Sequence, residues 1–124
     1  LVIGGKSMGG RMASLVADES GVDGLICLGY PFHPPGKPDK LRTEHLENIT
    51  CPTLILQGER DPFGTRPEVE NYPLSAAITI EWLPDGNHDL SPRKASGHTA
   101  ASNMAATINA AVKFLELVAH APKS

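Results

Sequence analysis

The most informative stretch of this chain reads Leu1-Val2-Ile3-Gly4-Gly5-Lys6-Ser7-Met8-Gly9-Gly10. Its apolar start predicts a β-strand, and a helical pattern follows directly over about 8–19. Between the two lies G-x-S-x-G, formed by Gly5, Ser7 and Gly9. A serine at so sharp a strand-to-helix turn is strained, and glycines two positions before and after it are expected to avoid Cβ clashes. The turn exposes the serine hydroxyl at a helix N-terminus, which favours a developing negative charge, so we expect Ser7 to be a nucleophile.

An acid and a histidine follow two later predicted strands. Asp61 comes in the turn after the strand 53–57, and His88 comes in the turn after the strand 77–83. The carboxyl ends of parallel strands lie at one edge of a sheet, so residues far apart in sequence converge there. The order Ser7, Asp61, His88 therefore predicts a catalytic triad in which His88 takes the serine proton and Asp61 orients the imidazole.

Other charged residues near these positions are weaker candidates. Glu59 precedes the tip of its turn, and Asp85 and Asp89 flank the histidine itself, so solvated turn carboxylates are the plainer interpretation of all three. Lys6 precedes the serine, but adjacent residues on a sharp turn point in different directions. We interpret Lys6 as a supporting or surface side chain.

Strands and helices alternate along the chain. Strands are predicted over 1–4, 23–28, 53–57 and 77–83, and helices over 8–19, 39–46, 67–74 and 98–119, with a proline-dense loop at 30–38. This alternation predicts an α/β fold with about four parallel strands and helices on both faces, in one domain over 1–124.

Apolar residues at helical spacing mark one face of each long helix. On the first helix they are Met8, Met12, Leu15 and Val16. On the last they are Met104, Ile108, Val112, Leu115 and Val118. This second stripe predicts a face that packs on the core.

Composition excludes several functional classes. A net charge of -3 argues against a surface for nucleic acid or anionic membranes, and no stretch reaches the length of a membrane span. The two cysteines, Cys27 and Cys51, lack metal-ligand spacing and resemble buried thiols of a reducing compartment, so we expect a cytoplasmic protein without a metal site. No cofactor is expected.

Three motifs carry a resemblance to a known family. They are Gly4-Gly5-Lys6-Ser7-Met8-Gly9-Gly10-Arg11, Gly29-Tyr30-Pro31-Phe32-His33-Pro34-Pro35-Gly36-Lys37-Pro38 and Glu44-His45-Leu46. The chain resembles the C-terminal half of an α/β-hydrolase, near the dienelactone-hydrolase-like group. Within it, the motifs are similar to a subfamily that includes a testis-expressed protein and a subunit of the non-specific-lethal chromatin complex.

The resemblance implies that similar proteins have further strands before the segment 1–4. Those strands would supply a second oxyanion-hole donor beside the Met8 N–H. We therefore expect a fragment that is poorly active alone, with an exposed strand edge at 1–4 through which it self-associates.

The expected function is hydrolysis of an ester or related acyl bond of a small molecule through an acyl-enzyme. Phe32, His33 and Phe63 are expected to line the substrate pocket, although core packing is an equally plain interpretation for the apolar ones. The alternative from another class is a non-catalytic interaction module that kept the fold. Acyl transfer or perhydrolysis on the same residues is a further alternative.

Overall fold

Strands and helices alternate in the computed structural model, which describes residues 1–120. The strands are β1 (Val2–Lys6), β2 (Gly24–Leu28), β3 (Thr53–Gly58) and β4 (Ile78–Leu83). The α-helices are α1 (Met8–Ser20), α2 (Arg66–Val69) and α3 (Ala100–Ala119), and 3-10 turns cover Glu44–Glu47 and Lys94–Ser96. The helix expected over 39–46 is thus a short 3-10 turn, and α2 is shorter than the predicted 67–74. Positions 121–124 of the predicted domain lie outside the described residues.

The four strands form one parallel sheet in the order β1-β2-β3-β4. All six residues of β3 are buried, as expected for an interior strand of a sheet covered on both faces. Within residues 1–120, β1 and β4 each have a neighbouring strand on one side only. The predicted α/β fold with four parallel strands is confirmed, and the carboxyl ends of the strands share one edge.

Side chains of β3 point alternately into two apolar layers. Ile55 packs with Leu25 of β2 and Ala17 of α1 on one face of the sheet. Leu56 belongs to the layer on the other face, against which Phe114 of α3 packs. The sheet therefore has α1 on one face and α3 on the other.

The apolar face of α1 lies on the outside. Met8, Met12, Leu15 and Val16 are all exposed, whereas the buried residues of this helix are Gly10, Ser14 and Ala17. These small residues allow the helix to approach the sheet closely: a Cβ placed on Gly10 would lie 3.2 Å from Cys27 Cβ.

The core-facing stripe predicted for α3 is wrong for four of its five residues. Met104, Ile108, Val112 and Leu115 are exposed, and Val118 is half-buried. The helix instead buries Asn103 and Thr107. Asn103 Nδ2 donates to the carbonyls of Pro84 and Leu90, at 3.0 and 2.9 Å, so hydrogen bonds to the loop after β4 fix the rotation of the helix.

Within residues 1–120, no helix combines the length and the hydropathy that a membrane span requires.

Candidate active site

Ser7 lies between the last residue of β1 and the first of α1. Its backbone has φ 53° and ψ -120°, a strained conformation for a residue with a side chain. Its N–H donates to the carbonyl of Leu28 at 2.8 Å, and its carbonyl accepts from the Arg11 N–H at 3.1 Å. The strain is thus held by hydrogen bonds to β2 and to the first turn of α1.

The glycines around Ser7 do not act as the sequence suggested. A Cβ on Gly5 would lie 2.5 Å from the carbonyl carbon of Gly9, so only glycine fits there. A Cβ on Gly9 would meet nothing within 4 Å, which contradicts the steric role predicted for this residue. Gly10 has that role instead, because its Cβ would lie 2.8 Å from the Gly5 carbonyl oxygen.

The structure brings Ser7, His88 and Asp61 together at the carboxyl edge of the sheet. Ser7 Oγ lies 2.8 Å from His88 Nε2. His88 Nδ1 lies 2.8 Å from Asp61 Oδ2. Both distances are those of good hydrogen bonds, so the three side chains form a continuous chain from hydroxyl to carboxylate.

Asp61 has no solvent exposure and is fully hydrogen-bonded. Its Oδ1 accepts from the Phe63 N–H at 2.8 Å, and its Oδ2 accepts from Gln57 Nε2 at 3.1 Å as well as facing His88. Burial raises the pKa of Asp61, and the bonds to His88 and Phe63 partly offset that rise. The site therefore holds its acid at a desolvation cost that the neighbouring donors reduce.

Gln57 is a residue that the sequence analysis missed. It is completely buried at the end of β3, where its side chain accepts from the Tyr30 N–H at 2.8 Å and donates to Asp61 and to the Gly64 carbonyl. The available signal was a polar residue at the end of the apolar run 53–57. A buried amide there needs partners, and the acid loop supplies them.

The His88 loop packs tightly against the end of β3. A Cβ on Gly58 would lie 2.3 Å from the carbonyl oxygen of Asn87, so glycine is required for the loop to approach. Phe63 stacks on the imidazole of His88, with ring centroids 4.2 Å apart and planes inclined by 30°. The ring and the Asp61 carboxylate thus restrain His88 from two sides.

The rival acids have other partners. Asp85 pairs with Arg60 and Arg93, and these cations hold the pKa of its carboxyl well below its usual range. Glu59 accepts from the Asp85 N–H and from Arg66. None of these contacts reaches His88.

Lys6 also has a partner away from the serine. Its Nζ lies 2.9 Å from Asp89 Oδ1, and both side chains are exposed. The salt bridge lowers the pKa of Asp89. Lys6 and Asp89 thus join the end of β1 to the His88 loop.

Two of the predicted pocket residues are core residues, which corrects that expectation. Phe32 is fully buried between Tyr30 and Tyr72. His33 is also buried, and its Nε2 lies 3.0 Å from Glu68 Oε2 while its Nδ1 faces the Pro34 carbonyl. A proline-dense loop supplies few hydrogen bonds of its own, so these side chains anchor it.

An open cavity lies next to His88. Its volume is about 180 Å³, and His88, Leu28, Leu90 and Met104 contribute to its walls. It is mostly apolar and suits a small acyl or alcohol group. The third predicted pocket residue, Phe63, lies on the imidazole and does not line this cavity.

Met8 directly follows Ser7 at the start of α1. N–H groups of the first helical turn have no acceptor within the helix, so the Met8 N–H is available to an oxyanion formed at Ser7. Within residues 1–120, no cluster of three or more His, Cys, Asp or Glu side chains has the arrangement of a metal site.

Comparison with known proteins identifies the family of the chain. A protein-family model described as an alpha/beta hydrolase domain matches residues 1–116. The chain belongs to the alpha/beta hydrolase family. Among solved structures, this hydrolase chain is similar to the esterase domain of a Rhodothermus marinus protein, with a TM-score of 0.59 and 14% identity. The match covers 91% of this chain and 59% of that one, so the chain spans somewhat more than half of the esterase domain's length.

Proposed function

We propose that this hydrolase cleaves an ester or related acyl bond with Ser7 as nucleophile, His88 as general base and Asp61 as the orienting acid. The observation that carries the proposal is the unbroken hydrogen-bond chain, 2.8 Å from Ser7 Oγ to His88 Nε2 and 2.8 Å from His88 Nδ1 to Asp61. A carboxylate acceptor keeps the histidine proton on Nδ1, which leaves Nε2 free to accept a proton from the serine.

The reaction has two halves. In the first, Ser7 Oγ attacks the carbonyl carbon, its proton passes to His88 Nε2, and the resulting oxyanion accepts a hydrogen bond from the Met8 N–H. Collapse of this intermediate breaks the bond to the alcohol, which leaves with the proton from His88. In the second half, water attacks the acyl-enzyme, gives its proton to His88 and releases the carboxylic acid. Ser7 then regains its proton.

The open cavity beside His88, about 180 Å³, supports small or medium acyl groups. The motifs at 4–11, 29–38 and 44–46 support membership of the subfamily with the testis-expressed protein and the chromatin-complex subunit. We assign the Met8 N–H as a donor to the oxyanion, because a helix leaves the N–H groups of its first turn without an internal acceptor.

The experiment is labelling with a fluorophosphonate probe, together with hydrolysis of 4-nitrophenyl acetate. We expect Ser7→Ala to abolish labelling and to lower kcat by about 10³-fold or more. Ser14→Ala is a matched control, because Ser14 Oγ also lies 2.8 Å from a histidine, His45 Nε2, but is buried within α1. Labelling that survives in the Ser7 variant or disappears in the Ser14 variant would contradict the assignment.

A second candidate function is a non-catalytic interaction module. The observation that favours it is the pair of exposed apolar faces on α1 and α3. Absence of labelling in a folded protein, shown by circular dichroism, is the result that this candidate predicts. Product analysis with an added alcohol separates hydrolysis from acyl transfer.

A further inference from the structure

A second cavity, of about 510 Å³, lies along the outer side of α1 and is separate from the one beside His88. Arg11 from the first half of α1 and Arg42 from the loop before the first 3-10 turn both line it. Leu15 and Leu41 give it apolar walls. The cavity therefore combines two guanidinium groups with an apolar surface.

The charges of these two arginines are not neutralised within residues 1–120. The other three arginines, Arg60, Arg66 and Arg93, each pair with a carboxylate. No such ion pair joins Arg11 or Arg42 to an acidic side chain of this part of the chain. Arg42 Nη1 instead donates to the weak acceptor Met8 Sδ at 3.3 Å.

Arg11 has, in addition, a buried donor without an acceptor. Its Nε is shielded from solvent and has no hydrogen-bond partner among the described residues. A buried charged donor without a partner is unfavourable, and in a native structure it requires an explanation, such as a water or an ion that completes its bonding. Guanidinium groups match carboxylate and phosphate oxygens in geometry and charge.

The remaining polar groups of the cavity leave its charge positive. His45 is the third basic residue, and burial together with the nearby Arg11 charge lowers its pKa, which favours the neutral imidazole. Glu44 also lines the cavity, but it is exposed and forms no ion pair with either arginine. Two guanidinium charges therefore face one solvated carboxylate.

Both arginines are connected to the first turn of α1, which follows Ser7. The backbone N–H of Arg11 donates to the Ser7 carbonyl one helical turn earlier, and the Arg42 side chain contacts Met8 Sδ. We propose that Arg11 and Arg42 form a binding site for an anionic group, a carboxylate or a phosphate. Resting on the proposed function, we assign that group to the substrate cleaved at Ser7.

The first test measures binding without catalysis. Inorganic phosphate and succinate are titrated separately into the ¹⁵N-labelled Ser7→Ala chain, followed by heteronuclear NMR. We expect saturable shifts at residues around Arg11 and Arg42, and the stronger ligand identifies which anion the site prefers. Arg11→Gln and Arg42→Gln should each weaken binding by about tenfold to a hundredfold. Lys94→Gln, which removes an exposed charge far along the chain, controls for net charge and should leave binding unchanged.

The second test measures the kinetics of hydrolysis in the chain with Ser7 intact. We compare 4-nitrophenyl hydrogen succinate with the neutral 4-nitrophenyl butyrate. Arg42→Gln should raise KM for the succinate ester about tenfold more than KM for the butyrate ester, with little change in the ratio of the two kcat values. Absence of saturable binding, or binding insensitive to both arginine variants, overturns the anion site. Binding without any Ser7-dependent hydrolysis keeps the anion site and overturns the proposed function.

Discussion

Asp61 and Asp85 illustrate, at the scale of single residues, two opposite uses of a carboxylate in neighbouring loops. Asp61 is buried, and its pKa is raised because desolvation exceeds the help of its hydrogen bonds. The pKa of Asp85 is lowered by its bonds to Arg93 and by the charge of Arg60. The first arrangement places a buried acceptor against His88 Nδ1, and the second holds the loop together.

We predict opposite pH dependences for Asp61→Asn and Asp85→Asn. The folded state binds a proton on Asp61 more readily than the unfolded chain does, so its contribution to the free energy of unfolding falls as pH rises above about 3.8, the ordinary value. Asp61→Asn should therefore gain stability relative to wild type between pH 3 and pH 7. Its activity should fall on the order of 10⁴-fold, because the histidine loses its tautomer restraint.

For Asp85 the pH dependence of its contribution to stability has the opposite sign. The lowered pKa means that its stabilising contribution is present above about 3.8 and is lost as pH falls through the folded-state pKa. Wild type should thus lose stability relative to Asp85→Asn on acidification. Urea unfolding followed by circular dichroism at pH 3, 4, 5 and 7 checks both profiles, and two profiles of the same sign would contradict the assignment.

At the scale of elements, the turn from β1 to α1 depends on close backbone contact as well as on the strained serine. Gly5 and Gly10 lie against each other, and neither position has room for a Cβ. Gly9, which completes the sequence motif, has open space beside it. The motif therefore contains one sterically required glycine, and the second required glycine lies one position beyond it.

We predict a large difference between two alanine substitutions in this turn. Gly5→Ala forces a Cβ to within 2.5 Å of the Gly9 carbonyl carbon, and it should lower the free energy of unfolding by about 1–3 kcal/mol or more. Gly9→Ala introduces no clash and should leave stability unchanged or raise it by up to about 1 kcal/mol. Urea unfolding of the two variants measures the difference, and equal losses would show that the steric account is wrong.

At the scale of the whole molecule, most of the large apolar residues that stay exposed lie on the two long helices. They include Met8, Met12, Leu15 and Val16 on α1 and Met104, Ile108, Val112 and Leu115 on α3. The strand β1 has one unpaired edge within the described residues. Apolar faces of this extent, together with an open strand edge, favour association with another polypeptide.

We predict that the chain self-associates at micromolar concentration, and that charge on the apolar faces reverses this. The double variant Met12→Lys and Ile108→Lys should have a mass, measured by light scattering, closer to that of the monomer. The matched pair Ser20→Lys with Asn109→Lys places the same charges at exposed polar positions of the same helices and should leave the mass unchanged. A wild-type chain that is monomeric under these conditions would contradict the prediction.

The sequence by itself determined the parallel α/β architecture, because hydrophobic runs and helical periods are local properties of the chain. It also singled out Ser7, Asp61 and His88, since strand ends in a parallel sheet meet at one edge. Helix rotation was decided only by the tertiary structure. The apolar period of α3 is correct, but the bonds from Asn103 to two carbonyls of the loop after β4 turn that face outward. Contacts between distant segments likewise decided the packing of Phe32 against Tyr72 and the placing of Arg11 and Arg42 in the wall of one cavity, which no local pattern records.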